Sequence, residues 1–459
     1  MIPPPFKNLP LPRIDHAYIV GGSVRDLLLG QTPADYDIGV SGHPEKVAVR
    51  VARVLNGRVV YLGKPGLAVF RIVAKNRVID ISELKGACIE EDLQQRDFTI
   101  NAMAYDMSTG KIVDCHGGKQ DLNNKIVRMV SGQVFRDDPI RLLRAYRLST
   151  VLKFSIDPDT ERTIRKDAKL IEHSAGERIR DEFFRLLQVS DAHGNLCRMA
   201  KYGLLFGIFP ELKALQGRIQ NNHHRYDVLD HTLCAFFHLE KIFNAPEPTL
   251  AKTVGVIQRS MGGKEGMLLK CAILLHDIGK PRVKFQDAKG DLHFFRHEQL
   301  GASMVKTISN RLKFSNKETD FIEFIVKNHL RPLHLFQANK TDKLTVKGIT
   351  RFFIKCGEKT PALMLHAIAD QRGKGETSAT PFLEFILDML HRYYSEYKPR
   401  LSNPPLITGH DLMENFGLKP SPQFGKILSM VEESRLSKQI RNKAEALTLV
   451  EEYLASVDG

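Results

Sequence analysis

Two aspartates separated by one residue, Asp35 and Asp37 in Asp35-Tyr36-Asp37-Ile38-Gly39-Val40, follow closely on the stretch Val20-Gly21-Gly22-Ser23-Val24-Arg25-Asp26. Alternation along a strand sends both carboxylates to one face, where they can share divalent cations. The glycines of Gly21-Gly22-Ser23 allow a tight turn that aims backbone N–H groups at an anion. Val24 to Leu29 reads as a helix, which sets those amides at a helix N-terminus, and Arg25 adds a charge-assisted contact to phosphate. Either half alone is common, since Gly-Gly is often only a turn and Asp-x-Asp a solvated strand end. Together they place a triphosphate, held by Gly21, Gly22, Ser23, Arg25 and Asp26, beside a metal pair. That is the equipment for an in-line phosphoryl displacement, in which two metals stabilise the attacking and departing oxygens.

The elements that must position these residues are legible in outline. Tyr18-Ile19-Val20 reads as a short buried strand leading into the turn. Further β-rich runs at Arg58–Leu62, Ala68–Val73, Val78–Ile81 and Lys111–Asp114 alternate with helical stretches. Residues 1–128 are therefore expected to form an α+β catalytic head with a mixed sheet. From Asp137 the pattern turns helical: Ile140, Leu143, Leu148 and Val151 recur at helical spacing, and Glu177–Leu187 repeats it. This predicts a helical neck over 129–221. Asn221-Asn222-His223-His224 opens a histidine-rich helical body over 222–398, and the prolines of Leu401-Ser402-Asn403-Pro404-Pro405 mark a linker to a helical tail over 399–459.

In the neck, Asp138 and Arg141 stand at i and i+3 and are expected on one helix face. A carboxylate beside a guanidinium is an acceptor–donor pair that can read a base edge. Cytosine and adenine each present an exocyclic amine beside an unprotonated ring nitrogen, whereas guanine and uracil present the opposite order. The pair would favour CTP and ATP by about 1–3 kcal/mol. Asp80, on a strand able to approach Asp37, is a candidate third carboxylate.

The formal charge of +14 over 459 residues points to a polyanionic partner. Residues 128–222 carry 17 basic against 12 acidic side chains and residues 301–384 carry 14 against 8. Two basic blocks flanking a nucleotide site favour RNA. Six scattered cysteines without a Cys-x-x-Cys suggest a reducing compartment. Met1-Ile2-Pro3-Pro4-Pro5-Phe6 lacks an apolar signal region and no run approaches a membrane span, so the expected location is the cytoplasm, with no membrane contact. No protein partner is predicted.

The motifs continue in order: Gln95-Arg96-Asp97-Phe98-Thr99-Ile100-Asn101, Asp114 with Gly117-Gly118, Asp137-Asp138-Pro139-Ile140-Arg141-Leu142-Leu143-Arg144, and Glu177-Arg178-Ile179 with Glu182-Phe183. This closely resembles the class II tRNA nucleotidyltransferase and bacterial poly(A) polymerase family, of the polymerase-beta-like superfamily. The resemblance implies transfer of CMP or AMP from CTP or ATP to a tRNA 3′ end, with Mg2+ on Asp35 and Asp37. It also implies that Asp138 and Arg141 form the base template, that Arg144 contacts nucleotide, that Arg96, Asp97 and Asn101 lie near ribose and triphosphate, and that Arg178 braces the neck. Gln95 stands where the family has a basic residue, and Asp137 where glutamate is common. Arg96 follows Asp80 by sixteen positions, which resembles the shortened loop of CC-adding relatives. CC addition alone and poly(A) synthesis are the alternatives within this chemistry.

His231, His276-Asp277 and Asp370 reproduce the order of the HD phosphohydrolase superfamily. The pair His276-Asp277 ends an apolar helix, Met267–Leu275. Two imidazoles and two carboxylates suit Mg2+, Mn2+ or Ni2+, with His297 and His329 available as extra ligands and Lys280 and Arg372 as phosphate contacts. A body with its own metal phosphohydrolase activity would make the protein bifunctional; the other reading is a non-catalytic RNA-binding body with a vestigial metal site.

Overall fold

The computed structural model describes residues 11, 14–63, 68–75, 77–218, 227–288, 291–375, 380–401 and 403–457. The Met1–Phe6 run, Asn221–His224 and Ser402 lie outside these described residues. The chain forms two compact units, residues 1–210 and 211–459.

The first unit is built on a seven-stranded mixed sheet. Its elements run β1 (Ala17–Val20), α1 (Gly22–Leu28), β2 (Asp35–Val40), α2 (Pro44–Leu55), β3 (Arg58–Leu62), β4 (Val69–Ala74), β5 (Arg77–Glu83), α3 (Ile89–Gln94), β6 (Ala104–Asp106) and β7 (Ile112–Val113). The strand order is β3-β4-β5-β2-β1-β6-β7. Within this sheet β2 and β5 pair in parallel, with Asp37 opposite Asp80; the other neighbours are antiparallel. Ile19, Ile38, Ile72, Ile79 and Ile81 fill the core with almost no exposure, as β-branched residues do on a pleated face.

Beyond the sheet the first unit is helical: α4 (Gly118–Asn123), α5 (Val134–Asp137), α6 (Ile140–Leu152), α7 (Pro158–Asp167) and α8 (Gly176–Gln188). Helix α6 packs on α8 through buried Leu142, Leu143, Tyr146, Phe183 and Leu187. The first turn of α7 is capped by Asp157, whose carboxylate accepts the N–H groups of Asp159 and Thr160. The same carboxylate receives Arg128, which also holds Asp121.

The second unit is almost entirely helical. The apolar run Met267–Leu275 is the buried part of a helix over Gly263–Leu275, as its composition requires. The Val228–Asn244 helix, capped by Asp227, lies against the Thr360–Gly373 helix. The Asn316–Asn328 helix opens on a reciprocal capping box between Ser315 and Glu318. Farther along the chain Ile407, Leu412, Ile427, Val431 and Val450 form an apolar cluster. Among the described residues no helix is long and apolar enough to cross a membrane.

Candidate active site and a histidine cluster

Gly21 joins β1 to α1 with φ +73, the left-handed region that favours glycine. A Cβ there would come within 2.9 Å of Arg96 Nη1 and 3.6 Å of Asp37 Oδ2. The turn, the aspartate strand and the Arg96 guanidinium thus meet at one point. Ser23 ties them together: its hydroxyl donates to the Asp35 carbonyl at 3.1 Å and accepts the Asp37 N–H at 3.2 Å.

Asp35 and Asp37 are exposed and alternate along β2 around buried Tyr36, so both lie on one face as the sequence pattern requires. Among the described residues no hydrogen bond or ion pair occupies either carboxylate. Asp80, opposite Asp37, is engaged instead: Arg71 reaches both of its oxygens, Nε to Oδ1 at 2.8 Å and Nη2 to Oδ2 at 2.7 Å. Asp37 is open to water yet surrounded by protein on most sides. This partial desolvation, with the negative charge of Asp35, pushes its carboxyl up to about 6, against the pull of Arg96. Two unclaimed, mutually repelling carboxylates suit a divalent ion, and Asp35 and Asp37 would hold it.

From Arg25 a continuous polar chain runs into the helical part of the unit. Arg25 Nε donates to Asp26 at 2.8 Å and Nη1 to Asn101 Oδ1 at 2.6 Å. Asn101 donates to Asp97 Oδ1, and Arg144 Nη1 donates to Asp97 Oδ2 at 3.0 Å. Glu182 then receives Arg144 and Arg147, the latter at 2.5 Å. Burial would push the Asp97 carboxyl up, but Arg144, Asn101 and the Phe98 N–H more than cancel it and hold the group below the ordinary aspartate value. Arg96 is steadied by Asp92, Nε to Oδ2 at 2.9 Å. Arg96, Asp97, Arg141 and Arg144 share the walls of a cleft of about 200 Å³ with Lys85, Asp92 and Gln95.

Asp138 and Arg141 do not share a helix face. Helix α6 starts at Ile140, and Asp138 is extended, φ −148 and ψ 95, because the residue before a proline is driven out of the helical region by the Pro139 ring. The side chains still approach, at 4.0 Å. Arg178 grips Asp138 on both oxygens, at 2.9 and 2.8 Å, while Arg141 donates to the carbonyls of Gln95 and Val134. Sequence reasoning passed over Arg71, Asp92 and Arg147. Only Asp92 carried a signal, at i,i+4 from Arg96.

In the second unit, His231, His276, Asp277 and Asp370 do converge. His231 Nε2 lies 2.9 Å from Asp370 Oδ1 and 3.7 Å from Asp277 Oδ2. His276 Nε2 lies 3.2 Å from Asp277 Oδ2 and 3.4 Å from Asp370 Oδ1. Lys280 Nζ sits 2.7 Å from Asp277 Oδ2, and Arg372 pairs with Glu247. Gly279 is required here, because a Cβ would meet the His297 carbonyl at 2.2 Å. His276 Nε2 is buried beside both carboxylates, and a set of two imidazoles and two carboxylates would suit a divalent ion. The cluster contains one residue not foreseen, His366, one helical turn before Asp370 and fully buried.

Residues 17–128 match the poly A polymerase head domain, 153–216 the RNA and SrmB-binding site of polymerase A, and 299–450 domain 2 of tRNA nucleotidyltransferase. The A-adding tRNA nucleotidyltransferase of Deinococcus radiodurans is 31% identical, covering 96% of both chains. The chain belongs to the tRNA nucleotidyltransferase/poly(A) polymerase family. The CC-adding tRNA nucleotidyltransferase of Thermus thermophilus is 29% identical, over 94% of this chain and 92% of its own. Among solved structures, a CCA-adding enzyme in an apo form superposes with a TM-score of 0.66 at 22% identity, covering 96% of this chain and 90% of that one. The Thermotoga maritima CCA-adding enzyme complexed with tRNA gives 0.62 at 23%, covering 96% and 91%. These likenesses establish the polymerase-beta-like fold, and family membership makes the protein a nucleotidyltransferase.

Proposed function

We propose that the protein adds CMP, AMP or both to tRNA 3′ ends, with Asp35 and Asp37 holding Mg2+. The observation that carries this reading is the contrast on neighbouring strands: Asp35 and Asp37 are unclaimed, while Asp80 is taken by Arg71. Magnesium, when bound, supplies charge stabilisation for the attacking and departing oxygens. Arg25 and Arg96 bind the triphosphate beside the glycine turn, and Asp97, Asn101 and Arg144 fix their orientation. Asp138 and Arg141 present the base-reading groups. The RNA 3′-hydroxyl then attacks the α-phosphate of CTP or ATP, and pyrophosphate leaves. The basic blocks at 128–222 and 301–384 contact the RNA phosphates. The head, neck, body and tail at 1–128, 129–221, 222–398 and 399–459 divide these tasks.

Addition is biased toward C. The link from β5 to α3 is short and tied down at several points: the Leu84 N–H to the Val40 carbonyl, the Lys85 N–H to Asp92, and the Ala87 N–H to Glu91. A site that must reposition for a purine has little slack to use. In the body, His231, His276, Asp277 and Asp370 hold a divalent ion that serves a phosphohydrolase activity. Among the described residues none of the six cysteines forms a disulfide, in keeping with a reducing, cytoplasmic setting.

A tRNA transcript lacking C-C-A, incubated with CTP and ATP and sequenced at its 3′ end, tests the main reading. Defined C or C-C-A ends support it. Long A tails on arbitrary RNA would replace it with poly(A) synthesis.

A further inference from the structure

We infer that the open face of the sheet beyond the metal aspartates seats the RNA 3′ end, where Arg71 binds the phosphodiester preceding the terminal nucleotide and Asp80 positions Arg71 for that contact. This rests on the reading that Asp35 and Asp37 serve addition to an RNA 3′-hydroxyl.

The strand register lays this face out, because residues paired across adjacent strands project to the same side. From Asp37 one row runs through Asp80 and Arg71 to Val60. The row beside it runs from Asp35 through Val78 and Val73 to Arg58. The opposite side of these strands is core: Ile72, Ile79 and Ile81 are buried, and α2 packs against β4 and β5. On the metal side the outer strands stay open, with Val60 and Val73 each 44% exposed. The whole of β3, Arg58 included, is exposed.

Arg71 stands between the metal pair and the sheet edge. Asp80 takes its Nε hydrogen at 2.8 Å and one Nη2 hydrogen at 2.7 Å. A guanidinium has five N–H donors in a fixed fork. Three therefore remain, and among the described residues no other group accepts from them. The Arg71 side chain is 42% exposed and that of Asp80 only 16%. The carboxylate thus acts as a largely covered anchor, and the guanidinium offers its remaining donors to solvent in a geometry that suits phosphate.

The direction of approach follows from the order of the strands. The glycine turn and Arg96 lie on the β1 side of β2, whereas Asp80 and Arg71 lie on the β5 and β4 side. In an in-line displacement the attacking oxygen arrives opposite the departing one. With the triphosphate on the β1 side, the RNA comes in over β4 and β5. Neighbouring strands are about 4.8 Å apart, so the Arg71 backbone is about 10 Å from that of Asp37, and its side chain leans back onto Asp80 in between. The phosphodiester preceding the terminal nucleotide is one ribose away from the 3′-hydroxyl, which brings it to this guanidinium. Val60 and Val73 offer apolar surface to the sugars, and Arg58 continues the positive charge toward the edge.

The test uses the full chain and a tRNA lacking C-C-A whose last internucleotide phosphodiester is replaced by an uncharged methylphosphonate. RNA affinity is measured by titration without nucleotide or metal, and CMP transfer with both. In the parent chain the neutral linkage should raise Kd and KM for the RNA about tenfold, as for loss of one charge-assisted contact, with KM for CTP unchanged. Arg71→Ala should do the same to the natural RNA, and Arg71→Lys should recover part of the loss. In Arg71→Ala the neutral linkage should then cost nothing further. The comparison of the two RNAs on the parent chain needs no variant, so misfolding of Arg71→Ala leaves it decisive. Transfer by the parent that is indifferent to the neutral linkage, or losses from linkage and variant that multiply, overturn the subsite and leave the proposed function standing. A rise in KM for CTP in place of RNA in Arg71→Ala assigns the side chain to the triphosphate and likewise overturns it. No transfer by the parent to either RNA overturns both.

Discussion

Arg178 holds Asp138 by both carboxylate oxygens, Nη1 to Oδ1 at 2.9 Å and Nη2 to Oδ2 at 2.8 Å. These contacts join the residue that leads into α6 to the helix that packs against it, and they fix the direction in which the acceptor points. The proposed base-reading pair is therefore held between helices. Asp138→Ala or Arg141→Ala should relax selection of CTP over UTP by roughly 10- to 100-fold, the equivalent of losing one bidentate base contact. Arg178→Ala should act in the same direction and more weakly, because Asp138 keeps its carboxylate and loses only its orientation. Incorporation of all four nucleotides checks this, and unchanged ratios in all three variants would remove the template from this position.

Asp97, proposed to orient the nucleotide-binding groups, also bears on the stability of the head. Its carboxyl is held below the ordinary aspartate value, so the ionised folded form contributes stability that is complete above about pH 4 and is lost as pH falls through the folded value. Asp97→Asn should cost about 2 kcal/mol at neutral pH through the weakened charge-assisted bond to Arg144. The gap from the parent should narrow below about pH 4. Denaturant titrations at several pH values provide the check, and a gap independent of pH would show that the charge does not contribute.

The proposed bias toward C rests on the tied link between β5 and α3. C addition to a tRNA ending at the discriminator base should be at least about tenfold faster than A addition to one ending in C-C, a difference of some 1.4 kcal/mol in barrier. A longer flexible segment inserted between Glu83 and Ile89 should raise A addition relative to C. Efficient synthesis of complete C-C-A ends by the unmodified chain would defeat the restriction.

Local pattern was enough to find much of this molecule. A β-rich run located β3, and a nearly unbroken apolar run located the helix that ends at His276. Spacing placed Asp35 and Asp37 on one face. It misplaced Asp138, because the i,i+3 pattern ignored the effect of Pro139 on the residue before it. The partners that decide what each charged group does were invisible for a different reason. Arg71 meets Asp80 across a strand pair, and Glu182 collects Arg144 and Arg147 from a helix distant in sequence. Nothing in composition links such positions before the chain folds. His366 is an exception, since its i−4 relation to Asp370 on one helix could have been read.

The central claim is that Asp35 and Asp37 carry the metal chemistry of nucleotide addition. It is tested most directly by measuring transfer of labelled CMP to a tRNA transcript lacking C-C-A, in parallel with a tRNA-binding titration. Asp35→Ala and Asp37→Ala should each lower transfer by about a thousand-fold, the equivalent of roughly 4 kcal/mol of metal-assisted stabilisation. Binding should change little, because RNA affinity comes from dispersed basic residues. Near-normal transfer by both variants would contradict the account.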